Sequence, residues 1–112
     1  MPQFLVQFSY APHSIKALVD RSDIDHAAQA SAMVASLGAK LLGYWYAFGE
    51  FDGVVLVEAP DTSTAASIAI AIRGTAEVTR LHTTILLTTE EARGAVQTAA
   101  RATHLPPQEA RP

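Results

Sequence analysis

Three residues, Asp52, Glu58 and His82, have the types and settings for proton-transfer chemistry. Asp52 lies in the turn-forming stretch Phe48-Gly49-Glu50-Phe51-Asp52-Gly53. A carboxylate there is either a base or acceptor at the mouth of a site, or the cap of its own Asx turn. Glu58 ends the apolar run Val54-Val55-Leu56-Val57. Buried in such a strand it would be desolvated, with a pKa raised toward general acid–base work; at the strand end, exposed or bridged to Arg80 or Lys40, it would be structural. His82 shares a strand face with Arg80 and Thr84. Inside a closed interior it suits a proton shuttle or haem ligand, and on an open surface it is a solvated side chain. His13 follows the first strand-like run and comes near Tyr10, while His26 falls on a helix and His104 near the C-terminus. No histidine pair has metal-helix spacing and no carboxylate–histidine cluster accompanies them, so neither a metal nor another cofactor is expected.

The aromatic residues form a second candidate set. They are few, at 7%, and all fall in two windows: Phe4, Phe8 and Tyr10, then Tyr44, Trp45, Tyr46, Phe48 and Phe51. Tyr44, Tyr46 and Phe48 share one face of a strand and Trp45 takes the other. Such rings build a core or subunit interface, or else wall a pocket whose phenol tips suit a flat aromatic or apolar ligand. Gln7 and Ser9 add polar groups from the first strand. The candidate ligand-binding set is therefore Gln7, Ser9, Tyr10, Tyr44, Tyr46, Glu58 and His82, with Glu58, Asp52 and His82 as catalytic candidates. The pattern leaves open which sheet face each one joins, and whether any catalysis occurs.

Several function classes are excluded. The chain has 112 residues, no cysteine and a net charge of −3. It therefore lacks a thiolate nucleophile, and the acidity argues against a nucleic-acid partner. An RNA-recognition module of similar topology would interleave basic and aromatic residues on its central strands, and the first strand has no Lys or Arg. Neither a phosphate-binding glycine loop nor a nucleophile elbow is present. Apolar runs such as 65–72 are too short to span a membrane, and the N-terminal Met1-Pro2-Gln3 does not resemble a signal peptide, so a cytoplasmic location is expected.

These side chains need elements to position them. Residues 3–10 alternate as a strand, Pro12 opens a short helix through Asp20, and a second helix is predicted over 23–37 with Ser22 or Asp23 as N-cap and Gly38 as stop. Its packing stripe is read as Ile24, Ala27, Ala28, Ser31, Val34 and Ala35. Strands are expected over 40–48 and 54–59, joined by a hairpin, then a helix over 62–73 capped by Asp61. A fourth strand follows over 77–87, and Thr88 with Glu91 forms a capping box for a last helix. The order βαββαβ predicts an α+β, ferredoxin-like domain over 1–103 with a four-stranded antiparallel sheet, central first and third strands and both crossover helices on one face. Residues 104–112, with three of the six prolines, read as a flexible tail.

The hairpin 48–53, the strand Val54-Val55-Leu56-Val57-Glu58, the exit Ala59-Pro60-Asp61, the stretch Tyr10-Ala11-Pro12 and the join Leu37-Gly38-Ala39-Lys40-Leu41 together resemble the GYD-domain family. The resemblance runs from about Gln3 to Glu91. Gly49 and Asp52 match motif positions, while Phe51 stands where the family usually has tyrosine, so ring packing is retained and the phenol hydroxyl is not. The resemblance implies a dimeric α+β barrel and names no reaction. A charged fraction of 17%, against about 25% in soluble domains, agrees with a sheet face covered by a second copy. The functional expectation is a homodimer or higher oligomer binding a small apolar or aromatic ligand in the barrel interior, with or without cofactor-independent chemistry. The alternative is a non-catalytic metabolite-sensing or protein-interaction module.

Overall fold

A computed structural model describes residues 1–103. The chain runs β1 (Gln3–Tyr10), α1 (Pro12–Asp20), α2 (His26–Ser36), β2 (Lys40–Tyr46), β3 (Gly53–Glu58), α3 (Thr62–Gly74), β4 (Val78–Leu86) and α4 (Thr89–Ala99). The sheet order is β2-β3-β1-β4 with every pairing antiparallel, so the first and third strands are central as the element order predicts. The expected flexible tail, 104–112, lies outside the described residues.

Local chemistry accounts for the element ends. Pro12 occupies the first turn of α1, where its missing N–H costs nothing. Asp61 accepts the Thr64 N–H at 2.7 Å to start α3. Thr88 and Glu91 close both bonds of the capping box, at 3.0 and 2.9 Å. At the end of α2, Gly38 takes φ +84, and the Ala39 and Gly38 N–H groups return to Val34 and Ala35 carbonyls in a Schellman pattern.

The start of α2 departs from expectation. The cap is Asp25, which accepts the Ala28 N–H at 3.0 Å, while Asp23 is held in the preceding turn by Arg21. The stripe is corrected with it. Val34 is buried, with Met33 and Leu37 packed against the core, whereas Ala27, Ala28, Ser31 and Ala35 are exposed. The larger apolar side chains set the helix's rotation, because each removes more surface from water than an alanine does.

The sheet's two faces are now assigned. Phe4, Val6 and Phe8 of β1 pair with Val57, Val55 and Gly53 of β3, and these face the helices. With Val34 of α2 and Ala65 and Ile68 of α3 they form the core. Gly53 is required here: a Cβ would lie 2.5 Å from the Phe8 ring. The opposite face carries Leu5 against Leu56 and Thr84, Gln7 against Val54 and His82, and Ser9 against Arg80. Trp45 joins that face, its indole lying over Gly43. Apart from the 48–53 hairpin, whose Phe51 lies against Arg80 at one end, no described segment of the chain covers this face. On α4, Ala95, Val96 and Ala99 are exposed as well, Val96 by 68%.

Candidate functional site

A cavity of about 390 Å³ lies between the helices and the sheet. Its floor is Phe8, Tyr44 and Val55, and α2 and α3 wall it with Ala30, Met33, Ile68 and Ile72. Small residues on the helices, Ala30 and Ala71, leave the volume that larger side chains would fill. Polar groups enter at one end: Tyr10, Tyr44, His26, Ser14, Thr75 and Glu77.

The phenols are organised. The Tyr10 and Tyr44 hydroxyls are hydrogen bonded to each other. Both rings meet Phe8 edge to face, at centroid distances of 5.4 and 6.0 Å. Tyr46 shares their sheet face and hydrogen bonds His26 Nδ1 at 2.8 Å, tying β2 to the first residue of α2. Phe48, just beyond the strand with φ 51, stacks on Tyr46 at 5.7 Å.

Burial raises the pKa of Tyr10 above the usual phenol value, and the bond to Tyr44 adds to the rise. Burial also raises Tyr44 and, together with the charge of Asp25, Tyr46. The sign follows from proton counting. Above about pH 10 unfolded phenols lose protons that the folded chain still holds. The stability these groups contribute is therefore complete below that pH and falls as pH rises. Urea unfolding measured from pH 8 to 11 is expected to show that decline, and Tyr10→Phe with Tyr44→Phe is expected to flatten it. An unchanged slope in the double variant would show that these phenols are not its source.

The structure divides the candidate set between two faces. Tyr10 and Tyr44 line the cavity, with Tyr46 beside them, whereas Gln7, Ser9, Glu58 and His82 project from the open face of the sheet. The Asp52 carboxylate is not turned to its own loop: it accepts the Tyr10 N–H of β1 at 2.9 Å. On the β3 edge of β1 the Asp52 N–H donates to the Phe8 carbonyl and the hairpin backbone then turns away, so the Asp52 side chain serves Tyr10 in place of a strand carbonyl. Glu58 lies opposite Gln3 and Lys40 at the sheet's end. On β4, the Arg80 guanidinium stacks 4.5 Å above the Phe51 ring and donates to the Glu50 carbonyl at 2.5 Å. The phenylalanine at this motif position thus serves by its ring. His82 is beyond Phe51, at 6.4 Å between centroids, and His13 is exposed outside the cavity.

His26 and Glu77 are site residues that the sequence pattern missed. The signal for His26 was present: with Asp25 as cap, His26, Ala30 and Met33 fall on one helical face. Glu77 offered none, since its position depends on the turn around Ala76, which holds φ 61.

The GYD domain model matches residues 4–96, most of the chain. The chain belongs to the GYD domain family. Among solved structures, this GYD domain is similar to TTHA0845 of Thermus thermophilus, with TM-score 0.56 and 17% identity, covering 80% of this chain and 96% of that one. It is also similar to a Neisseria meningitidis transcriptional regulator, NMB0573, solved in complex with L-Met, with TM-score 0.52 and 12% identity over 79% of this chain and 51% of the regulator. E. coli AsnC gives TM-score 0.51 and 13% identity, with 79% and 52% covered. The GYD domain thus spans about half the length of these two proteins. At these identities the likeness is one of fold. The curated proteins include no match to the sequence.

Proposed function

We propose that this GYD domain is a small-molecule-binding module whose ligand occupies the cavity between the helices and the sheet. The observation that carries the proposal is the cavity itself: about 390 Å³, within the roughly 300–1,000 Å³ of ligand pockets, apolar along its walls and polar at one end. A regulator of the same fold has been solved in complex with L-Met, an analogy at the level of fold that is in keeping with a binding module. Thermal unfolding with neutral one- and two-ring aromatic compounds tests it. Binding to the folded state is expected to raise Tm with the logarithm of ligand concentration above Kd. A flat response across the whole series would contradict the proposal.

A second copy of the chain is proposed for the open face. Leu5, Val54, Leu56 and Trp45 give that face an apolar centre with Gln7, Ser9, Glu58 and His82 around it, and Trp45 is 53% exposed. Two such faces meeting sheet to sheet would cover these groups and account for the low charge fraction. Sedimentation is expected to give the mass of two chains, and Leu56→Lys, which buries unpaired charge at the contact, the mass of one. A wild-type mass of one chain would sink the proposed dimer.

A further inference from the structure

We infer that the cavity takes a neutral, flat molecule bearing a carbonyl or quinone-type oxygen, which accepts a hydrogen bond from the Tyr10–Tyr44 pair. The inference rests on the cavity being the ligand site. Two phenols carry two hydroxyl protons, and the bond between them uses one. Whichever ring donates, the accepting ring keeps its own O–H, and that group is free for a third partner. Neither ring draws on His26, which bonds Tyr46 instead. Accepting the first bond polarises the remaining O–H and makes it a better donor. Both phenols are protonated at neutral pH, and burial holds them so.

The surrounding charges select against an anion. No lysine or arginine lines the cavity, whereas Glu77 does. Asp52 is close by, its carboxylate on the Tyr10 N–H. The titratable groups facing the phenol pair are therefore the two acids, Tyr46 and His26. A ligand carboxylate would lie near Asp52 and the exposed Glu77, with no fixed cation in the lining to compensate its desolvation. A carbonyl keeps the acceptor and avoids that cost.

Calorimetry on the full chain with three probes of matched shape tests this: p-tolualdehyde, p-xylene and p-toluate. The aldehyde is expected to bind roughly threefold to tenfold tighter than p-xylene, the range of one hydrogen bond, and p-toluate most weakly. The aldehyde's bound C=O stretch is expected at lower wavenumber than in hydrocarbon solvent. In Tyr10→Phe with Tyr44→Phe the aldehyde's advantage over p-xylene is expected to disappear. Equal binding of p-xylene and p-tolualdehyde to the wild type, or an unshifted stretch, would overturn the donor role while leaving the cavity as a ligand site. Toluate binding as tight as the aldehyde's would overturn the charge argument. Failure of all three probes would remove the cavity reading and this inference with it. The wild-type comparison and the stretch stand even if the double variant does not fold.

Discussion

Phe4→Ala is expected to lose about 3–5 kcal/mol of folding stability, a large share of the roughly 5–15 kcal/mol available to a domain of this size. Phe4 is 1% exposed and sits on a central strand, opposite Val57 on one side and Ile85 on the other. Its ring belongs to the cluster that includes Ile68 of α3. Removing it leaves a hole that β1, bonded on both edges, cannot close by shifting. Urea unfolding followed by Trp45 fluorescence measures the loss. The contrast is Val96→Ala on the exposed face of α4, expected to change stability by no more than about 0.5 kcal/mol. Comparable losses from the two variants would mean that α4 is packed and that the core is drawn wrongly.

Ala30→Leu is expected to move stability and binding in opposite directions. Ala30 lines the cavity from α2, between His26 and Val34 on the helix face turned to the sheet. A leucine there reaches into space that no side chain occupies, with an expected gain of about 0.5–2 kcal/mol, as for other cavity-filling changes. The same side chain removes room for a ring, so affinity for a one-ring aromatic is expected to fall by at least about tenfold. Thermal unfolding with and without p-xylene reads both effects. Destabilisation together with unchanged p-xylene binding would show that the cavity is neither open to filling nor the place where the ligand sits.

The sheet topology was legible in the sequence because each strand alternates or is bounded by turn residues, and because Asp61, Thr88, Glu91 and Gly38 are unambiguous punctuation. The rotation of α2 was less legible. Alanines and serines surround that helix, so the pattern alone admits several stripes; Met33, Val34 and Leu37 decide the matter only once the sheet beneath them is known. The candidate site was half legible. Composition and period two put Tyr10, Tyr44 and Tyr46 on one sheet face, which the structure turns toward the helices rather than toward the expected barrel interior. Gln7, Ser9, Glu58 and His82 joined the same list because period two separates a strand's faces without telling which one meets the helices. The buried Phe4, Val6 and Phe8 settle that choice and send the polar candidates to the open face. His26 depended on a cap three residues later than Ser22, and Glu77 on a left-handed turn that carries no sequence signature at Ala76.

The central claim is that ligand binds between the helices and the sheet. Methyl spectra of the isotopically labelled chain during titration with p-xylene test it most directly. Shifts are expected at Ile68, Ile72, Met33 and Val55, which line the cavity, with Leu5 and Leu56 on the open face unmoved. Shifts confined to Leu5, Leu56 and Val54, with the cavity methyls silent, would place binding on the other side of the sheet and contradict it.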